Sequence, residues 1–134
     1  MQDIADISCK ACTSELQGIR KSVKQACKDF GLSDDRTNAV VLAIDEACAN
    51  VIRHSCAFSD KFSLEVKVSR EKNYGIFLII DNCPPISDEC LQPKQDDPLE
   101  PGGLGLHLIR QVMDSVKLLP SDGCGNTLEL KIKI

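Results

Sequence analysis

Asp45-Glu46-Ala47-Cys48-Ala49-Asn50, inside a run with helical periodicity, and Gly102-Gly103-Leu104-Gly105-Leu106, opening another, decide the fold. In the first, a carboxylate and a carboxamide stand one helical turn apart. In the second, flexible backbone feeds a helix N-terminus, which suits an anion such as phosphate. Between them, Tyr74-Gly75-Ile76-Phe77-Leu78-Ile79-Ile80-Asp81 is an apolar run that ends in a lone acid. A potential base, an oxygen ligand for a metal, a carboxylate able to read a heterocycle and a loop for phosphates together point to nucleotide handling.

Outward from these stretches, Leu16, Ile19, Val23, Cys27 and Phe30 recur at three- and four-residue steps, which predicts an amphipathic helix over about 13–30. Gly31 is a helix stop, and Ser33 followed by Asp34 and Asp35 reads as an N-cap with acids in the first turn. The second helix is expected to run to about His54, burying Val40, Val41, Ile44, Cys48 and Val51. Phe62, Leu64, Val66 and Val68 alternate with polar residues, the pattern of a half-buried strand. A turn is expected at 73–75. Residues 76–80 are apolar on both faces and should form a central strand. Five prolines between 84 and 101 exclude a long helix or central strand there. A third helix follows from Leu104, Leu108, Ile109, Val112 and Met113. Residues 116–119 and 127–134 read as two strands joined by a turn through 122–125, and residues 4–9 as a short first strand. The order predicts an α+β sandwich with helices on one face of a mixed or antiparallel sheet.

The chain has 134 residues, which points to one domain over 1–134. Apolar residues make up 43%, enough for one sizeable core, and with no Trp that core must be mostly aliphatic. A formal net charge of -4 argues against a nucleic-acid partner. No apolar run approaches the roughly 20 residues of a membrane span. The N-terminus lacks the basic and apolar segments of a signal peptide, so a cytoplasmic location is the default. Eight cysteines are many for such a chain. Cys9 and Cys12 form the one C-x-x-C pair, but a structural zinc site needs four ligands and no second close pair exists. Small buried or half-buried thiols are the expectation.

Glu46, Asn50 and His54 are spaced four apart and share a helical face. Alone, each has an ordinary explanation: solvated surface, helix-end amide, satisfied imidazole. In this order with Asp81 and the glycine run, the segments resemble the GHKL ATPase superfamily, and more closely its anti-sigma-factor serine/threonine-protein kinase branch. Glu46-Ala47-Cys48-Ala49-Asn50-Val51-Ile52-Arg53-His54 is similar to that branch's N box. Asp81-Asn82-Cys83-Pro84-Pro85-Ile86 is similar to its first glycine box, and Gly102 to Asp114 to its second. Gly125-Asn126-Thr127 is similar to the Gly-Thr pair before the final strand.

The resemblance implies a two-layer Bergerat-type ATP-binding fold with ATP and Mg²⁺ as cofactors. By it, Glu46 is the catalytic base and Asn50 the Mg²⁺ ligand. Asp81 accepts from the adenine amino group, which a pure acceptor favours over the guanine carbonyl. Gly102, Gly103, Leu104, Gly105 and Leu106 approach the phosphates, with Cys83 and Thr127 also lining the cofactor site. Arg53 either reaches a phosphate oxygen or is solvated. The implied activity is phosphorylation of an anti-anti-sigma (STAS-type) antagonist, alternating with sequestration of a sigma factor. The implied partners include a second copy of the chain, with Arg20 as a partner contact, and neither nucleic acid nor membrane. The alternative is a nucleotide-dependent partner-switching module without kinase activity. A histidine-kinase fragment fits less well, because no helical hairpin with a phosphoacceptor His precedes the domain.

The chain departs from that pattern at two places. Cys83 stands where the family has Gly, and a side chain there takes up room near adenine. Its thiol is expected to be accessible in an open loop, more so than those of Cys27 and Cys48. Residues 84–101 carry five acids against Lys94 alone. That charge does not help hold a triphosphate; it fits an open segment or one facing a basic partner.

Overall fold

The alternating run after Phe62 is a strand and finds its partners by returning on itself. In the computed structural model, which describes residues 1–56, 59, 61–84, 101–120 and 125–134 (backbone only at 55 and 101–106), β2 (Ser63–Glu71) and β3 (Tyr74–Asp81) form an antiparallel hairpin. β1 (Gln2–Lys10) pairs with β2, with a register shift between Asp3 and Ala5. β4 (Ser115–Leu118) and β5 (Asn126–Lys133) pair with each other, and β5 lies against β3. The five-stranded order is β1-β2-β3-β5-β4, with the apolar strand at the centre.

Every one of these pairings is antiparallel, so the sheet is not mixed. Connectivity explains this. Between β1 and β2 the chain makes a short 3₁₀ turn, Thr13–Glu15, then α1 (Leu16–Asp29) and α2 (Asp34–Asn50). Two packed helices return the chain to the end it left, so β2 runs against β1. Among the described residues, the one helix between β3 and β4 is α3 (Pro101–Val112), and β4 pairs with β5 alone.

Local chemistry sets the helix ends. The Leu32 N–H donates to Cys27 O and the Gly31 N–H to Lys28 O, with Gly31 at φ +81°. That pair of bonds is a Schellman motif and satisfies carbonyls the helix end leaves free. Ser33 then caps α2 by accepting from the Arg36 N–H at 3.3 Å, with Asp34 and Asp35 in the first turn. Regular α2 stops at Asn50, short of His54. Val51–Ser55 forms a π turn, closed by the Cys56 N–H donating to Val51 O.

The core lies between the helices and one sheet face. Ile19, Val23, Ala26 and Cys27 of α1 and Val40, Ala43, Ile44, Ala47 and Cys48 of α2 meet Leu64, Val66, Val68, Phe77, Ile79, Leu128, Leu130 and Ile132. Phe30 packs edge-to-face on Phe77, with ring centroids 6.2 Å apart. The β2–β3 turn falls at Lys72-Asn73, not at 73–75; Lys72 takes the left-handed φ of +54°. Gly75 is inside the strand for a packing reason: a Cβ there would sit 2.8 Å from the Phe30 ring.

That contact fixes an expected outcome. Gly75→Ala forces the Phe30 ring off Phe77 and should destabilise the fold by about 1–3 kcal/mol, the usual cost of overpacking. A lower urea midpoint at unchanged m-value is the readout; an unmoved midpoint would show that Phe30 is free to shift.

Candidate functional site

The last turn of α2 and the π turn behind it bring three polar side chains together. Glu46 and Asn50 are half-buried one helical turn apart. Arg53 turns back over both: its Nη2 donates to Glu46 Oε1 at 3.0 Å and to Asn50 Oδ1 at 2.7 Å. Arg53 is therefore bound to the other two candidates and not simply solvated, and its Nε is buried without a partner among the described residues. His54 lies in the π turn and is exposed. Arg20 is exposed on α1 but is held by Asp45 Oδ1 at 2.8 Å.

Asp81 ends the central strand on the helix side of the sheet, opposite Leu64 and Asn126. It is buried, at 5% exposure. Its Oδ1 accepts from the Cys83 N–H at 2.9 Å and from Asn126 Nδ2 at 3.0 Å. Its Oδ2 is buried with no partner among the described residues. Asn126 also donates to Pro84 O at 3.0 Å, which fixes the turn after β3. Gly125 makes this approach possible: at φ +76°, a Cβ would fall on the Asp81 carbonyl oxygen. Desolvation raises the Asp81 pKa, against smaller opposing effects of the Asn126 and Cys83 hydrogen bonds. A raised carboxyl pKa stabilises the fold below the ordinary carboxylate range and is lost as pH climbs through the folded value, so ionised Asp81 costs stability at neutral pH.

Cys83 corrects an expectation. It is not an accessible thiol in an open loop. It is buried and joined to Cys56, with Cα atoms 5.2 Å apart. Its side chain is part of the core, as is that of Cys56 at the end of the π turn. Cys27 and Cys48 are buried free thiols, as their helix positions imply, and burial pushes Cys27 to about 11 and Cys48 higher still. Cys9 and Cys12 are half-buried. The pairing of Cys56 with Cys83 had no sequence signal, since connectivity among eight cysteines cannot be deduced from spacing.

The glycine run lies inside α3, not ahead of it: Gly102, Gly103, Leu104, Gly105 and Leu106 follow Pro101, the first helical residue. Pro suits that position, and the amides of the next two residues have no intrahelical acceptor. α3 packs on α2, which makes the two candidate helices neighbours. Thr127 lies opposite Ile80, so it faces the other side of the sheet from Asp81. The contact to Asp81 comes instead from Asn126, which sequence reasoning missed although it stands between Gly125 and Thr127. The acidic residues of 85–100 lie outside the described residues.

The donor set suits the implied ligands. A buried carboxylate oxygen without a partner calls for a donor such as an exocyclic amine. Asn50 Oδ1 is a hard oxygen appropriate to Mg²⁺, with a second lone pair beside the one Arg53 uses.

A five-stranded antiparallel sheet with helices on one face, an acid at the end of its central strand and a Glu-x-x-x-Asn helix define an ATPase domain of the GHKL type. The chain belongs to the histidine kinase-like ATPase domain family, whose model matches residues 9–132. Among curated proteins it is similar to the serine-protein kinase RsbW of Bacillus velezensis, 27% identical over 121 residues that cover 78% of this chain and 71% of that one. Among solved structures it is similar to the RsbU and RsbW domains of Rv1364c from Mycobacterium tuberculosis, with TM-score 0.65 and 16% identity. That match covers 97% of this chain, which spans only 32% of the mycobacterial chain. The catalytic domain of histidine kinase ThkA gives TM-score 0.58 at 9% identity, covering 97% and 96% of the two chains. No helix among the described residues is long and apolar enough to cross a membrane.

The bridge closes a loop with a sequence separation of 27. Reducing it should cost about 3 kcal/mol of stability through the freedom returned to the unfolded chain, and lower the melting temperature by roughly 10 °C. Calorimetry with and without a dithiol reductant measures this. Equal melting temperatures, with the bridge state verified by mass, would remove the bridge from the stability of the fold.

Proposed function

We propose that this chain is an ATP-dependent serine/threonine-protein kinase of the anti-sigma type. It would phosphorylate an anti-anti-sigma (STAS-type) antagonist and sequester a sigma factor in alternation. The observation that carries the nucleotide part is the unpartnered, buried Asp81 Oδ2 at the end of the central strand, with Glu46 and Asn50 on the neighbouring helix. The protein-kinase part draws on the likeness to the serine-protein kinase RsbW.

In this proposal Asp81 Oδ2 accepts from the adenine amine and cannot donate to a guanine carbonyl. Asn126 and the Cys83 N–H hold the other oxygen, so the carboxylate cannot rotate away. Asn50 holds Mg²⁺, which neutralises phosphate charge. The amides of Gly102 and Gly103 receive phosphate oxygens at the α3 N-terminus. Glu46 takes the proton of the attacking hydroxyl, and Arg53 keeps its carboxylate oriented from Oε1. Arg20 would meet a partner carboxylate in competition with Asp45. A homodimer, a cytoplasmic location and partner switching complete the proposal. In the alternative, nucleotide binding persists and phosphotransfer does not.

Mg-ATP at a hundredfold excess over Kd should stabilise the protein by about 2.7 kcal/mol through mass action, with GTP far less effective. A melting curve unmoved by saturating Mg-ATP would end the nucleotide proposal. Asp81→Asn should fold but lose preference for adenine, because an amide nitrogen replaces an acceptor.

Glu46→Gln should keep Mg-ATP binding and lose about 10²–10⁴-fold in phosphotransfer to the antagonist, the usual contribution of a positioned base. Equal rates for the two proteins would exclude Glu46 as the base. Absent transfer by the parent chain would select the binding-module alternative.

A further inference from the structure

Cys56 closes the π turn that carries Arg53, and Cys83 sits two residues beyond Asp81. The bridge between them therefore ties the helix bearing Glu46 and Asn50 to the turn that holds the Asp81 carboxylate. Its two sulfurs and an Asp81 oxygen all lie within 4.8 Å of one another. The Cα separation of 5.2 Å is one a disulfide spans without backbone movement. Both cysteines are part of the core, at 0% and 1% exposure. The Cys83 N–H, one bond from the bridged Cα, donates to Asp81 Oδ1.

We propose that the Cys56–Cys83 pair is a redox switch for nucleotide binding, resting on the nucleotide reading of Asp81 given above. Oxidised, the bridge holds the 82–84 turn, pins Asp81 Oδ1 and leaves Oδ2 free for the base. Reduced, two thiols need a van der Waals separation that a bonded pair does not. The close-packed core must then give way, and the turn is released from its place under Asp81. Oxidation forms one S–S bond and gives up two protons and two electrons. A low-molecular-weight disulfide takes them and becomes two thiols; a dithiol reductant reverses the exchange. Because both sulfurs are buried, exchange waits for local opening of the turn and is slow. In chains kept among thiol reductants, bridges of this kind are transient and redox-sensing. Cys27 and Cys48 are buried in the helix faces without bridges and do not compete for this partner.

The test uses the full chain, oxidised with glutathione disulfide or reduced with dithiothreitol, its bridge state read by differential alkylation and peptide mass mapping. Mg-ATP affinity is measured by titration calorimetry, and far-UV circular dichroism checks that the reduced form is folded. The oxidised form should bind about tenfold more tightly, a coupling within the ordinary range between linked sites. Cys56→Ala should bind like the reduced protein under both treatments. Reciprocity requires saturating Mg-ATP to favour the bridge by the same factor, moving its midpoint about 30 mV toward more reducing potentials. Equal affinity of the two forms, or tighter binding by the reduced one, overturns the switch and leaves the nucleotide proposal standing. A reduced form that unfolds also overturns it, since the bridge would then be only structural. Failure of both forms to bind Mg-ATP overturns the switch together with the nucleotide proposal.

Discussion

A carboxylate buried at the end of the central strand is the constraint on which the rest of the site depends. Ionised and out of water, Asp81 is costly unless donors surround it. Two arrive from opposite sides in the chain, one from the turn that follows β3 and one from the head of β5. The second arrives only because residue 125 is glycine, whose missing Cβ lets the β5 backbone lie against the Asp81 carbonyl. The first arrives only because the turn is held, by Asn126 on Pro84 O and by the bridge on Cys83. What remains, among the described residues, is one acceptor without a partner, Asp81 Oδ2. A fold that needed only stability would place an apolar residue there.

The second half of the site shows a different economy. Glu46 and Asn50 are brought together by helical spacing alone, and Arg53, 7 residues on from Glu46, falls on the same face. Its guanidinium engages both partners through a single nitrogen. Asp45, next to Glu46 in sequence, is drawn to the other side of the helix by Arg20. Adjacent acids on α2 are thus sorted between two arginines, which keeps one turned toward α1 and the other toward the candidate site.

Much of this was legible in the sequence because it is encoded locally. Period-two and period-3.6 patterns gave the strands and helices, and Gly31 with Ser33 marked the joint between α1 and α2. Glu46, Asn50 and Asp81 stood out because their spacing and positions on elements carry chemistry. What could not be read depends on pairings between distant residues. Gly75 looked like part of a turn because nothing local reveals Phe30 above it. Asn126 carries no local signal, because strand register decides which residue faces Asp81. Cys83 looked exposed because its partner, Cys56, lies across a hairpin strand. Arg53 has two readings in the sequence, and its bonds to Glu46 and Asn50 exclude the simply solvated one.

That π turn also limits how this segment can vary in length. In a regular helix each residue advances about 100°. The wide turn at 51–55 absorbs one residue that a regular helix would not hold. Deleting a single residue here would leave a sound helix by every local measure. It would also swing Cys56 around the axis, away from Cys83. Descendants of this chain can therefore exchange side chains in the segment more freely than they can shorten it.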